Sequence, residues 1–120
     1  MINELVKDIH SKNLEAGWWN DPETGKDLRQ DPYVIGTKLL LVVSEISEAT
    51  EGFRKGLQDD KLPDRSMIEV ELADAIIRIF DLAGCLNLDL EGAIEEKRKF
   101  NSIRKDHKVE ERVKKNGKKF

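Results

Sequence analysis

Four carboxylates stand in two pairs among apolar residues, and no other residues of this sequence are better suited to chemistry. Glu45 and Glu48 lie in the segment Val-Ser-Glu-Ile-Ser-Glu-Ala, and Glu71 and Asp74 lie in Val-Glu-Leu-Ala-Asp-Ala. The members of each pair are three residues apart, so both lie on one face of a helix with their Cβ atoms about 5–6 Å apart. An unpaired carboxylate among apolar side chains is costly. Four converging acids repel each other unless cations bind between them, so the pattern predicts a metal site.

The type of ligand narrows the choice of metal. Carboxylate oxygens without His or Cys suit Mg²⁺ or Mn²⁺. A di-iron site of the ferritin type needs a Glu three residues before a His, and neither His10 nor His107 has one. The alternative is structural: the four acids cap helices, or they form ion pairs with Arg54, Lys55 or Arg78.

The two acidic motifs resemble those of the MazG-like nucleotide pyrophosphohydrolases, which belong to an all-α superfamily of nucleoside triphosphate pyrophosphohydrolases. Ser44-Glu45-x-x-Glu48 is similar to the family's Glu-Glu-x-x-Glu, and Glu71-x-x-Asp74 is similar to its Glu-x-x-Asp. Ser44 departs from the pattern because the family has a Glu there. The second Glu of the doublet and the later Glu are the family's usual ligands, so the departure concerns an outer contact.

A third similarity lies in the Lys-rich segment 97–104, which contains an Asn and an Arg as the family's fourth helix does. The resemblance covers about residues 34–107. It implies an all-α domain over residues 1–107, built as a four-helix bundle of the MazG-like type that oligomerises through its helices. Residues 108–120 are then a basic C-terminal tail.

The resemblance also implies an activity: hydrolysis of a (deoxy)nucleoside triphosphate to the monophosphate and pyrophosphate. Two or three Mg²⁺ or Mn²⁺ ions would be held by Glu45, Glu48, Glu71 and Asp74, and water would attack the α-phosphorus. Glu48 is a candidate for the residue that orients this water, and the sequence leaves open which acid is the base. A purine substrate, dGTP or GTP, is favoured, with a dUTPase- or dCTPase-type activity of the same superfamily as the alternative.

Basic and amide side chains are the candidates for phosphate contacts. Lys97, Asn101 and Arg104 follow each other at steps of four and three, which predicts one shared helix face that reaches the β- and γ-phosphates. Lys38 lies seven residues before Glu45 on the same predicted face. The alternatives are a solvated basic face and, for Lys38, an ion pair with an acid.

The adjacent Trp18 and Trp19 are the only tryptophans, and they follow Gly17 in a loop. Neighbouring side chains do not easily pack in one direction, so we expect one ring in the core and the other stacked on a base. The amides of Asn13 and Asn20 are close enough in sequence to read a base edge. The alternative is that both rings close the bundle.

The elements that must position these residues are helices. Strand patterns are nearly absent, and apolar residues recur at steps of three or four. Gly17, Gly56 and Gly84 are expected to end helices, whereas a capping box of Ser66 with Glu69 and an N-cap at Asp89 start the third and fourth. The predicted helices are Ile2–Ala16, Val34–Lys55, Met67–Ala83 and Leu90–Lys105.

Length and composition bear on the number of domains, on membrane insertion, on the cellular compartment and on the assembly. The 120 residues suffice for one domain, and no apolar stretch approaches the length of a membrane span. The lone Cys85 cannot form a disulfide within the chain, which favours a reducing cytoplasm. The third helix is apolar on almost all sides, so we expect other copies to cover part of it in a dimer or tetramer.

The charge is distributed unevenly. The net charge is −3, but residues 97–120 carry +8, which leaves −11 for the rest. The basic segment lacks the interleaved aromatic rings on which nucleic-acid bases stack. We therefore expect it to bind a phosphorylated small molecule or to be a solvated tail, rather than to bind nucleic acid. A non-catalytic helical interaction module, whose acids neutralise its own tail, is the second hypothesis.

Overall fold

The computed structural model describes all 120 residues, and its regular structure is helical throughout. The predicted all-α fold class is therefore confirmed. The chain divides into two compact units, Met1–Leu88 and Asp89–Phe120. No helix combines the length and the apolar character that crossing a bilayer requires.

The first unit contains three helices, of which the third is central. They are α1 (Ile2–Glu15), α2 (Pro32–Lys55) and α3 (Met67–Cys85), and α3 packs against both of the others. Gly52 of α2 lies against Met67 at the start of α3, whereas Glu45 contacts Arg78 farther along α3. The two helices are therefore antiparallel, and this arrangement brings their acidic residues together.

The helix ends follow from capping residues. The Asp31 carboxylate accepts hydrogen bonds from two backbone N–H groups of the first turn, so α2 begins at Pro32, two residues earlier than predicted. It ends at Gly56 with φ 60°, as expected. The capping box of Ser66 and Glu69 at the start of α3 is also confirmed.

Gly84 does not end α3, contrary to the prediction. The helix continues to Cys85, and Gly84 instead admits the His10 side chain, with which an added Cβ would collide. The chain turns at Asn87, whose φ is 54°, a conformation that Asn tolerates better than most residues. The glycine therefore serves helix packing rather than termination.

The second unit contains α4 (Leu90–Ile103), a 3₁₀ turn (Lys105–His107) and the short α5 (Val109–Arg112). The predicted N-cap is confirmed, because the Asp89 carboxylate accepts a hydrogen bond of 3.0 Å from the backbone N–H of Gly92. The end of α4 comes before the predicted Lys105. Arg104 already has extended backbone, with φ −66° and ψ 129°.

Apolar side chains of α3 remain exposed in the single chain. The exposed fraction is 44% for Leu72, 49% for Ile76, 41% for Ile77 and 38% for Ile79. The expectation that this helix is covered all round is therefore not met by the chain alone, because α1 and α2 cover only part of its circumference.

Candidate functional site

Three of the four predicted metal-binding carboxylates come together between α2 and α3. One oxygen each of Glu45, Glu71 and Asp74 can be chosen so that all three atoms lie within 4.8 Å of one another. The three side chains line an acidic pocket of about 900 Å³. Glu48 lines the same pocket but is exposed and lies outside the three-acid cluster.

Glu71 has the most unfavourable surroundings of the four. Only 9% of it is exposed, and no N–H group or cation of the protein binds its carboxyl group. Burial raises the pKa of Glu71 to about 8, and the carboxyl groups of Glu45 and Glu48 act in the same direction. In the metal-free chain this group therefore holds a proton near neutral pH.

The pKa values of the other two clustered acids, Asp74 and Glu45, are shifted in opposite directions, and Arg78 acts on both. Burial raises the pKa of Asp74, the charge of Glu45 raises it further, and Arg78 opposes both. Burial alone would also raise the pKa of Glu45. The pKa of Glu45 is nevertheless lowered, because the 2.8 Å hydrogen bond that Arg78 Nε donates to Oε1 acts together with the charge of Arg78 and with contacts to the carboxyl groups of Glu71 and Glu48.

Ion pairing thus accounts for only part of the cluster. Of the three basic residues considered as structural partners, only Arg78 pairs with an acid of the pocket, whereas Arg54 and Lys55 both bind Glu51. Arg78 binds Glu45 and opposes the rise in the pKa of Asp74, but it makes no contact with Glu71. An all-oxygen donor set with excess negative charge fits Mg²⁺ or Mn²⁺.

Sequence reasoning missed the contribution of the loop between α2 and α3. Asp59, Asp60 and Lys61 line the acidic pocket. Asp59 is only 8% exposed, and its Oδ2 accepts hydrogen bonds from the backbone N–H groups of Lys61 (3.0 Å) and Leu62 (2.8 Å). The available signal was the preference of Asp for such turns, which does not by itself place the residue at a pocket.

The two tryptophans have opposite environments. Trp19 has no exposed surface, and its Nε1–H donates to Oδ1 of Asp81 at 2.9 Å. The same oxygen lies 2.8 Å from Nδ1 of His10. Trp18 is 67% exposed. One ring is therefore in the core and one outside it, as expected; a base-stacking role for Trp19 is wrong because no ligand can reach its buried ring.

Trp18 lies in an apolar cleft of about 590 Å³ at the loop between α1 and α2. The residues lining it include Trp18, Asn20, Leu28, Tyr33, Thr37 and Lys38. Asn20 uses its Nδ2 to donate to the carbonyl oxygen of Gly25 at 3.2 Å. Asn13 is half-buried and is not part of the lining. This aromatic cleft has the size and character of a small-molecule site.

Lys38 belongs to the aromatic cleft rather than to an ion pair. Its Nζ donates to the carbonyl oxygen of Trp18 at 3.2 Å and lies 4.3 Å from the ring centroid of Trp19. No carboxylate pairs with it, so the ion-pair alternative is wrong. These contacts hold the tryptophan loop against α2.

The three predicted phosphate-binding residues of the second unit do not share one helix face. Arg104 lies beyond the end of α4 and binds both oxygens of Asp106, at 3.0 and 2.7 Å. Lys97 and Arg104 nevertheless approach the same ring, Phe100, at 4.9 and 5.6 Å from its centroid. Asn101 Oδ1 is shielded from solvent and has no hydrogen-bond donor.

Comparison with protein-family models, curated proteins and solved structures finds no match for this chain. The side-chain geometry therefore carries the functional inference. Within the first unit it combines an acidic pocket suited to hard divalent cations with an aromatic cleft suited to a planar ring.

Proposed function

We propose that this chain is a metal-dependent nucleoside triphosphate pyrophosphohydrolase of the MazG-like type. The observation that carries the proposal is the cluster of Glu45, Glu71 and Asp74, whose oxygens lie within 4.8 Å of one another. Glu71 is buried there with only acids as polar partners. Such an arrangement is unfavourable without a cation, and a hard divalent cation relieves it.

In this proposal Glu45, Glu71 and Asp74 hold Mg²⁺ or Mn²⁺. Bound divalent ions would neutralise a triphosphate and lower the pKa of a water molecule. Glu48 is the residue assigned to orient that water and accept its proton, because it is exposed and lines the same pocket. The products would be a nucleoside monophosphate and pyrophosphate.

The substrate contacts are assigned from exposure and unsatisfied polar groups. Trp18 presents an open ring on which a base can stack, and Asn20 keeps a free amide oxygen beside it. In the second unit Lys97, Asn101 and Arg104 are assigned to phosphates from the resemblance alone. dGTP and GTP are the first substrates to test, ahead of dUTP and dCTP.

The proposed assembly is a homodimer or homotetramer that completes a MazG-like helical bundle. The exposed apolar side chains of α3, from Leu72 to Ile79, support it, since such a strip is unusual on a soluble monomer. Light scattering at micromolar concentration tests it. A monomer of 13.8 kDa that hydrolyses nucleotide would contradict the assembly.

The activity is tested with a panel of nucleoside triphosphates in Mg²⁺ or Mn²⁺. Monophosphate and pyrophosphate should appear, and EDTA should stop their release. Glu71→Gln and Asp74→Asn should abolish turnover because each removes an anionic ligand while keeping the shape. Glu51→Gln, an acid of α2 outside the pocket, is the matched control and should retain activity.

The second candidate is a non-catalytic helical interaction module. The ion pair between Arg78 and Glu45 favours it, because one clustered acid is neutralised without a metal. This candidate predicts no turnover with any nucleotide and no uptake of Mn²⁺ by the purified protein. The same substrate panel therefore separates the two candidates.

A further inference from the structure

Lys38 places an ammonium group in the wall of the otherwise apolar aromatic cleft. It is the only charged residue among those that line the cleft, and no Asp or Glu lies there to pair with it. The residue lies on α2 and is half-buried. A ligand in this cleft therefore meets one positive group on a mainly apolar surface.

Two contacts hold this ammonium group in place. Its Nζ donates to the backbone carbonyl oxygen of Trp18 at 3.2 Å and lies 4.3 Å from the ring centroid of Trp19. The Trp19 ring is itself fixed, because its Nε1–H donates to Asp81. An ammonium group has three N–H donors and no acceptor. One carbonyl and one ring face leave at least one N–H of Lys38 for a ligand.

The other side chains of the cleft provide ring faces and few free donors. Trp18 is 67% exposed and Tyr33 is 85% exposed, so both rings are open to a ligand. The amide N–H of Asn20 already donates to a loop carbonyl, and the hydroxyl of Thr37 donates to the preceding turn of α2. Lys38 is thus a positioned donor beside rings on which a planar ligand can stack.

We propose that Lys38 determines which bases the cleft accepts, by donating a hydrogen bond to a carbonyl oxygen of the base ring. Bases with an oxo group, namely hypoxanthine, guanine and uracil, then bind in preference to the amino bases adenine and cytosine. An amino group in the same place would set donor against donor and leave the ammonium group without an acceptor. This inference rests on the proposed function, from which it takes the base-binding role of the cleft. It assigns Lys38 to the base rather than to a phosphate.

Inosine and adenosine provide the sharpest test, because their bases differ only at position 6 and in the proton on N1. Neither carries a phosphate, so the metal-free, full-length chain can be titrated in EDTA. The NMR signal of the Trp18 indole N–H reports binding in the cleft. We expect inosine to bind at least about tenfold more tightly than adenosine, since hydrogen bonds to charged groups are the stronger ones. Uridine should be preferred to cytidine in the same way.

Lys38→Met removes the donors and keeps the length of the side chain. It should weaken inosine binding and bring the two affinities within about twofold of each other. Lys38→Arg keeps a charged donor and should retain the preference for inosine. Lys26→Met changes an exposed lysine of the same loop that does not line the cleft, and as the matched control it should bind both nucleosides like the wild type.

Three outcomes would overturn the proposal: the wild type binds both nucleosides equally, it binds neither, or Lys38→Met weakens both by the same factor. The last outcome would mean that Lys38 only holds the tryptophan loop. If Lys38→Met does not fold, Lys38→Gln provides the comparison, because an amide can donate to the Trp18 carbonyl and can also accept from an amino group. Pyrophosphate release without base preference would overturn this inference and leave the proposed hydrolase intact. Oxo-selective nucleoside binding without turnover would do the reverse.

Discussion

Arg78 of α3 donates a 2.8 Å hydrogen bond from Nε to Oε1 of Glu45 on α2. The glutamate side chain is 11% exposed and the arginine side chain 39%. This pair links the two helices beside the acidic pocket, and Arg78 is the one basic residue that forms an ion pair with an acid of the pocket. It allows Glu45 to stay ionised while Glu71 holds a proton.

Arg78→Gln should destabilise the metal-free protein by about 1–2 kcal/mol. A largely buried carboxylate loses its partner, and the value is below that of a fully buried pair because Arg78 is partly exposed. Urea unfolding in EDTA measures it. Arg54→Gln removes an exposed arginine that pairs with Glu51 on α2 and should change the free energy of unfolding far less. Equal losses in the two variants would contradict the role given to Arg78.

The stability of the metal-free protein should fall as the pH rises from about 5 to about 8. Glu71 has a pKa of about 8 in the folded chain, against 4.5 as the ordinary value. The folded state binds a proton that the unfolded state has released, so a rise in pH favours unfolding over this range. Asp74 acts in the same direction. Thermal unfolding in EDTA at several pH values measures the effect.

Glu71→Gln should remove most of this pH dependence and make the metal-free protein more stable than the wild type at pH 8. Glu15→Gln, a change of an exposed acid at the end of α1, is the control and should keep the wild-type profile. Adding Mg²⁺ to the wild-type protein at pH 8 should raise its free energy of unfolding again if the ion takes the place of the proton on Glu71. A flat wild-type profile would show that Glu71 is not held protonated.

Asp81→Ala should destabilise the first unit by about 2–4 kcal/mol, because the indole N–H of Trp19 and the ring of His10 lose a shared, buried acceptor. Asp8→Ala, which removes an exposed acid paired with Lys12, is the control and should have little effect. Urea unfolding followed by tryptophan fluorescence measures both. A fluorescence spectrum unchanged by Asp81→Ala would contradict the anchoring of Trp19.

Trp18→Ala and Trp19→Ala should affect different properties. Trp19→Ala should cost about 3–5 kcal/mol of stability because it empties a fully buried position. Trp18→Ala should leave the unfolding midpoint nearly unchanged and raise the KM for the nucleotide at least about fivefold, since one stacked base contributes about 1–3 kcal/mol. An unchanged KM would remove Trp18 from the proposed substrate site.

The helical elements were predictable because their determinants are local. Periodic apolar residues, the capping box of Ser66 and Glu69, and the glycine at position 56 each act within a few residues of the chain. Gly84 shows where local reasoning fails. A glycine near a helix end usually terminates it, but here the approach of His10, 74 residues away in sequence, determines the outcome.

The acidic cluster could be predicted only in part. The spacing placed Glu71 and Asp74 on one face of α3, and their grouping with Glu45 follows from the antiparallel packing of α2. The contributions of Arg78 and Asp59 depend on tertiary contacts that no local pattern encodes. The prediction that Arg104 lies on a face of α4 was wrong. The helix ends before Arg104, where the backbone is extended, and the side chain forms an ion pair with Asp106.

The acidic pocket and the aromatic cleft are separated by the same number of residues, seven, along each of the two antiparallel helices α2 and α3. Lys38, at the cleft, precedes Glu45 by seven residues of α2, and Asp81, which holds Trp19, follows Asp74 by seven residues of α3. Seven residues of continuous helix span about 10.5 Å. A molecule that touches both places must therefore be elongated, so inorganic phosphate and pyrophosphate are too short to bridge them. In the proposed site, the separation along α2 and α3 would therefore set a minimum length for any ligand that contacts both places.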